Sequence, residues 1–243
     1  RLSGTIRGGV VTTVTGVQVI PVGGTLDGVT LNGDATIPNN SLSVRNGLVL
    51  NGTLTLNSDS WWASLYFIGT QTLSGTGQVV FTGSWGYNRL YSHGIDSGTP
   101  ATLTIGPGIT IHGGAGGTIH GYYTNDTLLN QGTISADSAG KTITVSAANW
   151  VNAGLLQAKG GTLTAGGSWT NSGRLQASDG GTLDLGGNWI NAGQLQASNG
   201  GTIQISGVLD NTGKALALTT ATGSIRLSGT IRGGVVTTVT GVQ

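Results

Sequence analysis

The sequence predicts an all-β protein, a right-handed parallel β-helix of about 20 residues per turn and roughly 11-12 turns. Three observations carry that expectation. Gly accounts for 46 of 243 residues and charged residues for only 8%, where an ordinary domain has roughly 25%. All nine acids are Asp, so a strong helix former is missing altogether, while Thr, Val, Ile, Leu and Gly dominate. Finally, the triplet Asn-x-Gly recurs at Asn130, Asn152, Asn171, Asn191 and Asn211, at a spacing of about 20 residues.

Each repeat divides into three short strands. The stretches "NWVNAGLLQAKGGTLTAGG", "SWTNSGRLQASDGGTLDLGG" and "NWINAGQLQASNGGTIQISG" align along their length. Each has one strand around Trp-x-Asn, one at Leu-Gln-Ala and one at Thr-(Leu/Ile)-x-(Leu/Ala/Ile), with Gly-rich corners between them. Alternation puts Leu156, Leu175 and Leu195 on one face with Ala158, Ala177 and Ala197, and the intervening Gln residues on the other. Equivalent positions return after three strands, which predicts parallel stacking at a rise of about 4.8 Å. The repeat length varies from one Asn to the next. That does not suit a left-handed coil of strict hexapeptides, which leaves the right-handed one.

Two columns follow from the alignment. Asn130, Asn152, Asn171, Asn191 and Asn211 form a structural column at corners, where Asn tolerates left-handed backbone and stacked amides can bond along the axis. The Gly two residues on is expected to supply an unusual φ. Two residues before each Asn stand Leu128, Trp150, Trp169, Trp189 and Leu209. The mixed chemistry of the residue between marks it as outward, so this second column is expected in the core rather than as an exposed sugar platform.

A longer repeat contains the short one. "RLSGTIRGGVVTTVTGVQ" occurs at residues 1–18 and again, unchanged, at 226–243, an offset of 226 − 1 = 225. The expected organisation is one full tandem period over 1–225, continuous in fold, followed by the start of the next identical period over 226–243. Within the period, 57–127 is irregular and rich in aromatics, and 128–213 is regular. The expected partners are adjacent identical repeats, end to end and covalent in a parent chain, with lateral fibre association or surface polysaccharide as further candidates.

Composition excludes several function classes. Net charge is +1, and the seven Arg and three Lys are scattered, so no basic patch suits nucleic acid or an anionic membrane. No run of 18 apolar residues occurs, so no membrane insertion is expected in this segment. The chain has no Cys, which removes disulfides and thiolate metal sites. His93, His112 and His120 follow no ligand spacing, and no metal or cofactor is expected.

The block Asn152–Gly213, with "LQASDGGTLDLGGNWINAGQLQASNGGTI", resembles the filamentous-haemagglutinin-like repeats of giant bacterial exoproteins, which are secreted by two-partner or autotransporter routes. "LLNQGTISADSAGKTITV" and "TLTIGPGITIHGG" are similar to the same kind of exoprotein. The resemblance implies a right-handed β-helix, an extracellular or cell-surface location in a bacterium, and an adhesive or fibre-forming role. The near-perfect 225-residue period departs from an adhesin of varied modules.

The irregular region holds the candidate contact site for a ligand or partner: Trp61, Trp62, Tyr66, Trp85, Tyr87 and Tyr91. Residues 61–123 contain every Tyr and Phe of the chain and half of its Trp. Such a cluster is either a carbohydrate or protein contact site or a core widened locally for large side chains. Exposure decides between them. Catalysis is not expected: Asp179 and Asp184 are the nearest carboxylate pair on one repeat, and their equivalents in the adjoining repeats are not acidic. Arg89 is the one basic residue near the aromatics that a lyase would need. The first expectation for function is therefore the structural repeat of a long secreted surface fibre or stalk, a rigid β-helical rod. The alternative is a carbohydrate-binding adhesin module using 61–123, and a remote third is a polysaccharide lyase or hydrolase.

Overall fold

The computed structural model describes residues 1–238, so the last five residues of the second copy of the eighteen-residue segment lie outside it. Among the described residues there is no helix. Twenty-seven of the twenty-nine strands fall into two parallel sheets of 18 and nine strands, and two more pair separately. The nine-strand sheet runs in chain order from Gln18–Val19 to Gln194–Ala197, each strand beside the next. Inward positions of its inner strands, among them Ile37, Leu54, Phe81, Ile111, Leu156 and Leu175, are fully buried, and Val19 and Leu195 on the end strands are partly buried. They form one core with the inward side chains of the larger sheet.

The larger sheet corrects the expected solenoid. Ser41–Leu50 pairs through its first half with Ala63–Ile68 and through its second half with Gln71–Gly75. One arm continues through Asn88–His93 and Gly117–Gly121, the other through Thr102–Ile105 and Thr127–Asn130. Both arms end on Thr142–Asn152, one on each of its halves. The hydrogen-bonding pattern thus closes a ring of eight parallel strands, a barrel in its pairing, to which the other ten strands of the sheet attach. This replaces the uniform right-handed β-helix of evenly repeated turns. The physical cause is in the two longest members of the ring. Each runs through a bend without breaking, so each belongs to both arms, whereas the shorter strands between them are split by corner loops. Thr142–Asn152 shifts register between Ala147 and Trp150 at that bend.

Spacing between paired residues follows the two halves of the period. In the regular half Thr142, Thr162, Thr182 and Thr202 pair in succession at one constant offset. In the aromatic half the offsets are longer and unequal, Tyr66 pairing with Tyr91 and Tyr91 with His120. The extra residues go into the corner at 83–87 between Tyr66 and Tyr91 and the corner at 94–101 between Tyr91 and His120, and a further corner at 122–126 follows. Asp126 holds the last two. Its fully buried carboxylate accepts from the backbone N–H of Gly94 at 3.0 Å, Ala101 at 2.8 Å and Tyr123 at 2.8 Å.

Glycine is used here for close approach. A Cβ on Gly154, Gly173 or Gly193 would collide with the carbonyl oxygen of Gly132, Gly154 or Gly173 on the adjoining strand end. None of these three has a positive φ, so at them a steric role replaces the expected one, whereas Gly213, after Asn211, has the expected left-handed backbone at φ 70°. The left-handed non-Gly positions are other residues: Asn39, Asn46, Asn149, Asp179 and Asn199.

Candidate functional site

Two neighbouring corners carry the exposed aromatics. The first follows Thr53–Asn57. Asn39, itself left-handed at φ 49°, turns its amide oxygen onto three successive backbone N–H groups, those of Asp59, Ser60 and Trp61, at 2.8, 2.9 and 3.1 Å. Ser58, fully buried, donates its hydroxyl to the Trp61 carbonyl at 2.8 Å. The second corner follows Gln78–Thr82 and is built on the first. Trp85 N–H donates to the Ser58 carbonyl at 3.0 Å and Tyr87 N–H to the Ser58 hydroxyl at 3.1 Å. Buried Asn88 then ties this corner down by donating to the carbonyls of Thr82 and Gly116.

Backbone so fixed leaves the rings in solvent. Relative exposure is 59% for Trp61, 44% for Trp62, 53% for Trp85 and 48% for Tyr87. Trp61 and Trp62 lie with centroids 5.1 Å apart, and Trp85 meets Tyr87 edge-on at 5.7 Å. A concavity of about 350 Å³ opens beside the first pair, lined by Asn39, Asn40, Ser41, Ser64 and Tyr66 as well as the two indoles.

Tyr66 and Tyr91 belong to a different structure. They stand at paired outward positions of Ala63–Ile68 and Asn88–His93 and stack face to face, centroids 4.8 Å apart and planes 2° from parallel. His120 extends the ladder, its ring 4.4 Å from Tyr91. Tyr122 closes on it from the corner, stacked on His93 at 4.0 Å and edge-on to Tyr66 and Tyr91. Tyr91 is buried by these neighbours. Burial also raises the Tyr66 phenol above its ordinary range and lowers the His120 imidazole, with Arg89 adding to the latter. His120 is therefore uncharged at neutral pH. Beyond the ladder lies a wider groove of about 720 Å³, with Thr118, His120, Tyr123, Ser146 and Asn188 on its walls and Gly167 and Gly187 among its lining.

The Asn column lies apart from these corners. Asn130 donates to Asn152, Asn152 to Asn171 and Asn171 to Asn191, at 2.7, 2.7 and 2.8 Å. Asn130, Asn152 and Asn171 have no solvent exposure. The ladder stops at Asn191, whose Nδ2 donates to the Gly193 carbonyl and not to Asn211, while Asn211 donates to the carbonyls of Lys214 and Val235. Trp150, Trp169 and Trp189 are buried and stacked, with centroids 4.9 Å apart at both steps. Leu128 and Leu209, also buried, lie before and after them in the chain.

The polar residues weighed for chemistry are dispersed. His112 bonds Asp137 at 2.7 Å and Gln78 at 2.9 Å. Asp179 occupies a left-handed corner position and accepts from Asn199, while Asp184 accepts from Ser206. Among the described residues no three His or Asp side chains gather as a metal site would require, and no helix is long and apolar enough to cross a membrane. Sequence reasoning missed two features. The Asp126 hub has no local signal, since its partners are backbone groups as distant in the chain as Gly94. Arg89 lies over the Trp62 ring, its guanidinium carbon 4.6 Å from the centroid, and only the pairing of Ser64 with Arg89 brings the two corners close enough.

No protein-family model, curated protein or solved structure matches the chain.

Proposed function

We propose that this chain is a non-enzymatic module of a bacterial cell-surface protein, and that it binds glycan through the Trp61–Trp62 and Trp85–Tyr87 corners. One observation carries the reading: four large aromatic side chains stay about half exposed on two mutually hydrogen-bonded corners. Leaving so much apolar ring in water is unfavourable for folding. Indole and phenol faces on a rigid frame suit the apolar C–H faces of pyranose rings, while Asn40, Ser41 and Ser64 offer polar groups to hydroxyls around the adjoining concavity. The resemblance to secreted exoprotein repeats supports the extracellular setting.

The test is titration with short neutral and uronate oligosaccharides of glucose, galactose and mannose, followed by tryptophan emission. At least one series should shift the emission saturably. Trp62→Ala should weaken that binding about tenfold or more, the order expected when a central aromatic contact is lost. Absence of any saturable response across the panel, with the fold intact by circular dichroism, would refute glycan binding. The second reading is a structural repeat alone, favoured by the 225-residue recurrence; under it, Trp62→Ala changes nothing measurable.

A further inference from the structure

We propose that the glycan bound at these corners is acidic, a uronate-containing polysaccharide whose carboxylate is taken by Arg89. The proposal rests on the glycan-binding reading and names the ligand class for that same face.

Arg89 is placed as a recognition cation and not as a structural one. It stands at an outward position of Asn88–His93, directly beside Ser64, which lines the concavity next to Trp62. Its guanidinium lies against the Trp62 ring at 4.6 Å, and its one side-chain hydrogen bond among the described residues runs from Nη1 to the Tyr91 hydroxyl at 3.3 Å. The ion pairs found among the described residues are Arg7 with Asp27 and His112 with Asp137, so Arg89 has no carboxylate partner there. Asp59, the carboxylate of the neighbouring corner, is already engaged by Asn57 and Ser84.

The surroundings offer no competing anion. Outward positions paired across this face are Ser41, Ser64, Arg89, Thr118 and Thr144 in one row. Ser43, Tyr66, Tyr91, His120 and Ser146 form the next. Neither row contains Asp. With His120 uncharged, Arg89 is the fixed positive charge of the ladder. With Nη1 on Tyr91 and the guanidinium over the indole, the Nε–Nη2 edge has no hydrogen-bond partner among the described residues. That edge matches a carboxylate with two parallel N–H···O bonds, a geometry a lysine cannot reproduce. The same stacking holds the group in place before the ligand arrives and lowers the ordering cost of binding. A sugar ring against Trp62, with its C6 carboxylate reaching Arg89, uses both features together.

Matched ligands separate this inference from the reading beneath it. Glucose, galactose and mannose oligosaccharides are each compared with their uronate counterparts by calorimetry at low and moderate salt. In the binding series the uronate should bind about tenfold tighter or more, and the preference should shrink as salt rises. Arg89→Gln should bring the uronate-to-neutral affinity ratio close to one, and Arg89→Lys should restore only part of it. Equal affinity for both members of a pair, or a ratio unchanged in Arg89→Gln, overturns the acidic-ligand inference while leaving glycan binding intact. Tighter binding of a sulfated, uronate-free galactan than of every uronate would overturn the carboxylate assignment in favour of sulfate. No binding by either member of any pair, in a folded protein, overturns both readings.

Discussion

A buried amide is costly wherever a polar atom lacks a partner, and between its members the Asn column supplies partners by donation in one direction. Each Nδ2 donates to the Oδ1 of the next Asn. The direction has a consequence at its start: Asn130 Oδ1 is buried with no donor, because the residue paired before it is Ile105. In mid-column, Asn171 both accepts from Asn152 and donates to Asn191. Removing its side chain takes the short acceptor from buried Asn152 Nδ2, leaving it only the 3.4 Å contacts to the Gly154 and Arg174 carbonyls, and removes a donor to Asn191, so Asn171→Ala should cost about 1–3 kcal/mol. Asn191 is partly exposed and water can replace its lost partners, so Asn191→Ala should cost less. Denaturant midpoints of the two variants check the order, and equal midpoints would mean that burial does not govern this ladder. The column was legible in the sequence because identical residues recur at nearly constant spacing. Its backbone was not. The expected left-handed corners fell on Asn39, Asn46, Asn149, Asp179 and Asn199, which share no common spacing.

Strands and corners show where sequence pattern stops informing. Alternation correctly separates Leu156 and Leu175 from the Gln residues between them, since a period of two holds whatever sheet the strand joins. It does not say whether a long strand bends and pairs with two neighbours, which is how Ser41–Leu50 and Thr142–Asn152 close the ring in place of the expected solenoid. Counting aromatics located the candidate face but merged two structures: Tyr91 is buried in a stacked ladder, while Trp61, Trp62, Trp85 and Tyr87 stand in solvent. The ladder depends on the corners beside it, and these depend on Asp126. Its carboxylate has no cationic partner within ion-pair distance among the described residues and is held by three backbone N–H groups. Asp126→Asn replaces one acceptor oxygen with a donor facing an N–H. It should destabilise the fold by about 1–3 kcal/mol. The loss should be local, with faster amide hydrogen exchange at 94–101 and 122–126 than in the regular half. Uniform acceleration along the chain would show that Asp126 supports the whole core and not these two corners.

At the scale of the whole molecule, the repeated segment gives the sharpest test of how one period meets the next. Thr5–Arg7 and Val10–Thr12 recur as strands at Thr230–Arg232 and Val235–Thr238, an offset of 225. The glycines between them are left-handed in both copies, at φ 64° and 76° for Gly8 and Gly9 and 67° and 65° for Gly233 and Gly234. Their partners differ. The first copy pairs with strands that follow it, Thr5 with Thr25 and Val10 with Thr30. The second pairs with strands that precede it, Thr230 with Val208 and Val235 with Ala215. One segment therefore has two complementary edges, each already seen occupied. In a chain of two consecutive periods, a single copy of the segment at the junction can use both at once, carrying parallel pairing from Val208–Asp210 of one period to Thr25–Asp27 of the next with no linker. Val11 and Val236, at equivalent inward positions beside the buried Leu31 and Leu216, would be covered by the same step. Repeats joined through such an interface gain stability from each neighbour. A polypeptide of two 225-residue periods should therefore unfold at a higher denaturant midpoint than one period, in one transition whose slope reflects the larger area exposed. Two periods that unfold at the single-period midpoint with an unchanged slope, and that protease divides at the junction, would instead be independent units on a string.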